Sequence, residues 1–144
     1  MAYTFQVAMD SADPHGLADW WADALGWTVE PSDPDFIRQM IAEGHASEAD
    51  TTTHHGVLVW RDGAAVVDPD KRIGSPRLFF QLVPERKTVK NRMHLDLRVS
   101  PDAPAAVVDR LVAAGATRLH DGRQGPHTWV TLADPEGNEF CVSA

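Results

Sequence analysis

The first thirty residues alternate between the two hydrophobic periods that are typical of strands and of helices. Residues 4–10 alternate apolar and polar side chains, which predicts a strand. Residues 14–25 carry apolar side chains at helical spacing, and Gly26 follows where helices commonly end. Residues 27–30 resume the alternating pattern. This segment therefore predicts a strand, a helix and a second strand.

The middle of the chain predicts a helix, a polar loop, a hairpin and a further strand. Residues 45–53 contain almost no apolar side chains and predict a loop. Asp62-Gly63 separates two apolar runs and supplies the positive φ angles that a tight hairpin turn requires. The predicted elements are a helix at 34–43, a hairpin at 55–61 and 64–67, and a strand at 77–83.

From residue 91 the same order of elements begins again. A strand at 91–99 precedes Ser100-Pro101, which predict a helix start, and Gly115 marks the helix end. Strands then follow at 117–120, 128–133 and 139–143, with a tight turn at 134–137. Because Gly26-Trp27-Thr28 and Gly115-Ala116-Thr117 mark the same joint, we interpret the chain as an internal duplication of a βαβββ unit. A single domain over 1–144 would then contain module 1 at about 3–84 and module 2 at about 91–144.

Ionisable side chains occupy one face of the predicted strand at 91–99. His94, Asp96 and Arg98 alternate with aliphatic residues, so they share one face of the strand. A charged group inside a fold must be paired or must bind a ligand, because an isolated buried charge is too costly. This face is therefore the first place to look for a functional site.

Composition and charge narrow the classes of partner. The chain has 144 residues, of which 43% are hydrophobic and 24% charged, and its formal net charge is −8. An acidic protein is a poor partner for nucleic acid, and the absence of a long apolar run argues against a membrane span. The single cysteine, Cys141, excludes an internal disulfide and a cysteine-only zinc site. We expect a cytoplasmic protein with no nucleic-acid or membrane partner.

Three motifs carry a resemblance to a known superfamily. They are Asp13 with Trp20-Trp21 and residues 24–27, then residues 94–97, then residues 134–141. With these motifs the chain resembles the glyoxalase, bleomycin-resistance and extradiol-dioxygenase superfamily, also called vicinal oxygen chelate proteins. The connector at 83–92 is similar to that of uncharacterised bacterial glyoxalase-like domains. The resemblance implies an α+β fold whose two βαβββ modules pair into an open, curled sheet, a glyoxalase-like barrel, around a central cleft.

The resemblance also implies where a metal would bind. In metal-dependent members the ligands come from the first and last strands of each module, at places that correspond here to Gln6, Gln81, His94 and Cys141. Only His94 is an ordinary metal ligand, because two amides, one histidine and a thiol match neither hard-ion nor soft-ion preferences. Glu139 lies two residues before the position expected for a carboxylate. We therefore expect no metal. The alternative is a divalent ion held by His94 with Glu139 or Cys141.

The candidate site combines proton-transfer and ligand-binding residues. His94 would act as a base, oriented by Asp96 or Glu139, although a His–carboxylate pair can also merely satisfy buried polar groups. The predicted ligand-binding residues are Gln6, Phe79, Gln81, Arg98 and Cys141. Basic residues of the connector, Arg86, Lys87, Lys90 and Arg92, would either gather an anionic ligand or simply face solvent.

Fold alone does not choose among the possible functions. The favoured hypothesis is a metal-independent enzyme that binds a small metabolite in the inter-module cleft and catalyses a lyase- or isomerase-type proton transfer. The alternatives are a non-catalytic protein that sequesters a drug or metabolite, a metal-dependent lyase or dioxygenase, and a domain that serves only dimerisation. The apolar stripe of the predicted helix at 34–43 must be covered by its own barrel or by a second subunit, and a homodimer is expected.

Overall fold

The structure is a computed structural model that describes residues 2–144 and divides into two compact units between Arg86 and Lys87. The first unit contains β1 (Val7–Ser11), α1 (Pro14–Leu25), β2 (Thr28–Val29), α2 (Pro34–Ala42), a 3₁₀ turn (Glu48–Asp50), β3 (Thr51–His54), β4 (Val57–Trp60), β5 (Gly63–Val67) and β6 (Leu78–Leu82). The second contains β7 (Leu95–Arg98), α3 (Pro104–Ala113), β8 (Thr117–Gln124), β9 (His127–Ala133) and β10 (Glu139–Ser143). Within residues 2–144, the helices are too short or too polar to cross a bilayer.

Each unit contains a four-stranded sheet of the same topology. The strand orders are β1-β6-β5-β2 in the first unit and β7-β10-β9-β8 in the second. In both sheets the first and last strands of the unit pair in parallel, and the other neighbours pair antiparallel. The predicted α+β class with a repeated βαβββ order is therefore confirmed. The first unit differs by an insertion of α2, β3 and β4 between β2 and β5.

The predicted joint between helix and strand is equivalent in the two units. Thr28 pairs with Val67, and Thr117 pairs with Ala133 at the corresponding place in the second sheet. Gly26 ends α1 with φ of 67°, a left-handed conformation in which glycine has no Cβ penalty. The glycine-based alignment of the two halves agrees with the strand registers.

Helix α1 lies where its sequence pattern predicts it. The carboxylate of Asp13 accepts a hydrogen bond from the Gly16 amide at 3.2 Å, and Pro14 occupies the first helical position. The helix packs on β5 and β6, with Leu17 and Trp21 buried. Full burial of one tryptophan and its neighbours stabilises this contact, at about 25 cal/mol for each Å² of apolar surface removed from water.

The predicted loop and hairpin in the insertion were wrong. Part of the predicted loop at 45–53 is the 3₁₀ turn, and its last three residues begin β3, because three consecutive β-branched threonines favour a strand. β4 pairs with β3 through the tight turn at His55 and Gly56, whose φ angles are 49° and 76°. β5 pairs with β6 and β2 instead of β4, so Asp62-Gly63 connects two different sheets.

The predicted start of α3 was also wrong. The helix begins at Pro104, and Ser100 instead accepts a backbone hydrogen bond from Ala103 at 2.9 Å in a turn that precedes the helix. Proline lacks an amide hydrogen and is best accommodated at the first helical position, so Pro104 sets the start and Pro101 does not.

The sheet of the second unit has one apolar and one polar face, as its sequence predicts. Phe140, Val142 and Leu132 are almost fully buried, and α3 covers this side with Val108 and Leu111. His94, Asp96 and Arg98 alternate with the aliphatic residues of β7 and are exposed. The ionisable groups are therefore collected on the face opposite the helix.

Candidate functional site

The polar face of the second sheet carries an open hollow of about 380 Å³. Every strand of this sheet contributes to it, because alternation places every second side chain on the same face. The lining residues are Lys90, His94, Asp96, His120, Gln124, Trp129, Thr131, Glu139, Cys141 and Ser143. The hollow thus includes four of the predicted site residues: His94, Asp96, Glu139 and Cys141.

His94 and Asp96 form a hydrogen-bonded pair at the rim of the hollow. The His94 Nδ1 and the nearer Asp96 oxygen are 3.0 Å apart, and 40% of the His94 side chain is exposed. A carboxylate at Nδ1 favours the tautomer with the proton on Nδ1, which leaves the lone pair on Nε2. The pair therefore presents a proton acceptor to the hollow.

Glu139 is held by the connector that precedes β7. Lys87 Nζ lies 3.0 Å from one carboxylate oxygen, and the Asn91 amide donates to the other at 3.0 Å. Burial alone would raise the pKa of Glu139, but the Asn91 amide and the Lys87 ammonium outweigh it and lower the pKa to about 2. Glu139 is therefore an ionised anchor for the connector, which leaves Asp96 as the partner of His94.

Cys141 and Thr131 lie side by side on neighbouring strands at the floor of the hollow. Their sulfur and hydroxyl oxygen are 3.5 Å apart, and Cys141 is half-buried. The metal-binding atoms of His94, Asp96 and Cys141 lie within 4.8 Å of one another. Imidazole, carboxylate and thiolate ligands in one such group match zinc, so these residues fit a zinc-like ion, whereas both Glu139 oxygens already have partners.

The sequence patterns did not predict which residues line the outer side of the hollow. His120, Gln124 and Trp129 come from the β8–β9 hairpin, whose first strand extends to Gln124 instead of ending at 120. The Trp129 ring lies directly against Gly122 on the paired strand, where a Cβ would overlap it. Gly125, with φ of 57° in the two-residue turn beside Pro126, was the signal for a longer hairpin.

The remaining predicted ligand-binding residues lie elsewhere. Gln6, Phe79 and Gln81 belong to the first unit, and Arg98 is exposed beside Ser143 but outside the lining of the hollow. By the β1–β6 register, Gln81 is opposite Asp10, whereas Gln6 is four residues earlier, a separation of about 13 Å along the sheet. The two glutamines therefore do not converge.

Arg77 organises the polar face of the first sheet. It donates to the side-chain oxygen of Gln6 at 2.9 Å and to Glu30 at 2.6 Å, and its guanidinium lies 5.2 Å from the centre of the Phe79 ring. These contacts pair Gln6 and Glu30 with one guanidinium. Of the predicted basic cluster, Lys90 lines the hollow and Lys87 binds Glu139.

Comparison with known proteins identifies the family. A sequence model of the glyoxalase-like domain matches residues 6–143, so the chain belongs to this family. The resemblance inferred from the motifs is thereby confirmed at the level of the vicinal oxygen chelate superfamily. A search of curated proteins gives no significant match.

Solved structures share the fold at low sequence identity. A genomically encoded fosfomycin resistance protein, FosX, from Listeria monocytogenes, solved with manganese(II) and a dihydroxypropylphosphonic acid, has a TM-score of 0.65 and 7% identity, covering 100% of this chain and 90% of that chain. A glyoxalase/bleomycin resistance protein/dioxygenase family enzyme from Burkholderia phytofirmans PsJN has a TM-score of 0.60 and 16% identity, covering 95% and 94%. A possible glyoxalase from Bacillus cereus has a TM-score of 0.59 and 13% identity, covering 96% of both chains. These similarities establish the fold.

Proposed function

We propose that this glyoxalase-like protein binds a small molecule in the hollow of the second unit and transfers a proton of that molecule through His94. The observation that carries the proposal is the His94–Asp96 pair, 3.0 Å apart, at the rim of that hollow. A neutral imidazole with a fixed tautomer is a suitable base near neutral pH. Asp96 is the positioning residue, because it acts on the substrate only through His94.

The lining of the hollow favours a small ligand with a polar or anionic group. A volume of about 380 Å³ is within the range of small-molecule sites. Trp129 offers an aromatic wall, and Lys90 and His120 provide donors. Glu139 carries a charge that Lys87 balances, so it repels an anion less than a free carboxylate would. Cys141 and Thr131 form the floor against which the ligand would rest.

A metal-dependent reaction is the second candidate. The specific support is the grouping of His94, Asp96 and Cys141, whose donor atoms lie within 4.8 Å of one another. A zinc-like ion there would polarise a carbonyl or phosphoryl oxygen of the substrate. The expectation of no metal remains a prediction, and metal analysis of the purified protein tests it.

Other expectations from the sequence remain predictions. They are the inter-module cleft, the homodimer, the cytoplasmic location, and ligand-binding roles for Gln6, Phe79, Gln81 and Arg98. Sequestration without turnover is also an alternative, and it requires binding at the hollow without dependence on the basicity of His94.

A ligand screen followed by substitution at His94 tests the proposed function. A metabolite that binds the native state raises the melting temperature, and turnover of that compound would then be measured. His94→Gln should lower kcat/KM by about 10²- to 10⁴-fold, because an amide does not accept a proton near neutral pH. His127→Gln, at an exposed histidine outside the hollow, should keep wild-type turnover. Ligand binding with undiminished turnover in His94→Gln would overturn the catalytic role of His94.

A further inference from the structure

A second cluster of metal-binding side chains lies in the first unit, where α1 meets the inserted hairpin. The Nε2 atoms of His54 and His55 are each 2.7 Å from the same oxygen, Oδ2 of Asp19. Asp19 comes from α1, and the histidines come from the end of β3 and the following turn. This cluster shares no residue with the hollow of the second unit.

The three side chains form a compact donor set. One carboxylate oxygen and two imidazole nitrogens lie within 4.8 Å of one another. The two histidine rings pack against each other, with centroids 4.0 Å apart and planes inclined at 50°. Two imidazoles and one carboxylate are the protein ligands of many zinc sites that keep an open coordination position. A dication would replace the two N–H protons that now point at Asp19.

A third histidine packs beside the cluster and restricts the orientation of its rings. The neighbouring His15 is 2.7 Å from the Trp60 carbonyl through Nε2 and packs its ring 5.1 Å from that of His54. His15 is thus held by the Trp60 carbonyl and packs against the His54 ring.

The backbone at His55 indicates which substitution the turn accepts. His55 has φ of 49°, a left-handed conformation that is uncommon outside glycine, although asparagine, aspartate and histidine adopt it more often than other residues. Asparagine at this place, before Gly56, would form the preferred two-residue hairpin turn. His55→Asn therefore removes one imidazole without straining the turn.

We propose that Asp19, His54 and His55 bind a first-row transition-metal dication of the zinc type, which fastens the inserted β3–β4 hairpin to α1. The ion links two parts of the first unit and takes no part in the chemistry proposed at His94. Its binding adds stability in proportion to its affinity for the folded chain, because the unfolded chain does not bring the three donors together.

Zinc binding to untagged protein tests the proposal. The assay uses the His94→Ala/Cys141→Ala background, which removes two donors of the other metal-binding group, and measures zinc by calorimetry and by the shift in melting temperature. We expect one equivalent of zinc and a raised melting temperature. Asp19→Asn and His54→Ala should each weaken binding by about tenfold or more.

Two further variants separate ligation from folding. His55→Asn suits the left-handed turn, so it should keep or raise the metal-free melting temperature while weakening zinc binding by about tenfold or more. His45→Ala removes an exposed histidine outside the cluster and should bind zinc as the background does. Unchanged zinc affinity in Asp19→Asn and His55→Asn would overturn the proposal.

Cobalt substitution identifies the donors in the wild-type protein. The proposed cluster has no thiol, so cobalt bound there gives no thiolate-to-cobalt charge-transfer band, whereas cobalt bound by Cys141 does. A first equivalent that binds without this band supports the proposed cluster. A band that accompanies the first equivalent and disappears in Cys141→Ala, with no zinc bound by the background variant, would contradict it.

Discussion

The two units share one sheet topology but present different polar faces. When the parallel strand pairs are aligned by register, Gln6 corresponds to His94 and Arg77 to Glu139. In the first unit the arginine binds the glutamine and a neighbouring glutamate. In the second unit the histidine pairs with Asp96 and faces an open hollow. The two units therefore share one sheet topology, whereas at this register the second unit has a histidine–aspartate pair beside a hollow and the first has an arginine-centred ion pair.

The two units also differ beyond the second strand of each sheet. β2 contains only Thr28–Val29, after which the chain leaves for the insertion. The equivalent β8 continues to Gln124 and forms the long hairpin that supplies Trp129 to the hollow. The extra residues of the first unit thus form a separate hairpin, which carries two residues of the proposed metal cluster. The extra residues of the second unit extend the β8–β9 hairpin, which lines one side of the hollow.

The largest effect on stability is expected at two glycines, one in each unit, that lie against the rings of Trp129 and Phe79. Gly122→Ala places a methyl group against Trp129, and Gly63→Ala does the same against Phe79. Each should lower the free energy of unfolding by about 1–3 kcal/mol, measured by urea denaturation. Only Gly122→Ala should also weaken ligand binding, because Trp129 lines the hollow. Equal weakening in Gly63→Ala would extend the binding site to Phe79.

A smaller effect is expected for the ion pairs at the equivalent positions. Glu139→Gln should lower the free energy of unfolding at pH 7 by about 1–2 kcal/mol, because Lys87 and the Asn91 amide bind a mostly buried carboxylate. Glu30→Gln breaks the exposed pair with Arg77 and should cost about 0.5 kcal/mol or less.

The pH dependence of the free energy of unfolding tests whether Glu139 is ionised in the folded chain. The pKa of Glu139 is lowered from 4.5 to about 2 in the folded chain, so its stabilisation is present above pH 4.5 and is lost as the pH falls towards 2. The difference between wild type and Glu139→Gln should therefore vanish over that interval. A difference that stays constant down to pH 2 would show that Glu139 is not held as an ionised group.

The smallest effect is expected at the turns that follow β5 and β9. Asp68 and Asp134 begin these turns at equivalent register positions, and each carboxylate accepts an amide hydrogen bond two residues later. Lys71 has φ of 50° where the second unit has Gly137 with φ of 90°. Lys71→Gly should raise the free energy of unfolding by about 0.5 kcal/mol, and Gly137→Ala should lower it by about 1 kcal/mol. A loss of stability in Lys71→Gly would mean that the lysine side chain contributes more than its backbone strain costs.

The sequence predicted those features whose signals are local. α1 has a capping aspartate, a proline and a terminal glycine in the expected places, and its bounds agree with the structure. The hairpin around Asp62-Gly63 was predicted wrongly because strand pairing in a sheet is set by distant partners, here β6, which no local turn signal specifies. The Asp68-Pro69 turn, which corresponds to Asp134-Pro135, is an additional sign of duplication in the sequence.

Part of the candidate site was also predictable, because the alternation of side chains along a strand is a local signal. Alternation along β7 and β10 predicts that His94, Asp96, Glu139 and Cys141 share one polar face, and all four line the hollow. The partner of Glu139 was not predictable, because Lys87 lies 52 residues away in a connector with no regular pattern. The Asp19 cluster was not predictable, because the polar composition of residues 45–53 predicts a loop where β3 in fact begins.

The position of the sole sulfhydryl has a practical consequence. Cys141 is half-buried on the floor of the hollow, and the chain has no other cysteine. A thiol-directed fluorophore would therefore label this floor at one site, and its rate of attachment would fall when a compound occupies the space above it. The protein thus contains its own reporter of occupancy, which does not require knowledge of the reaction.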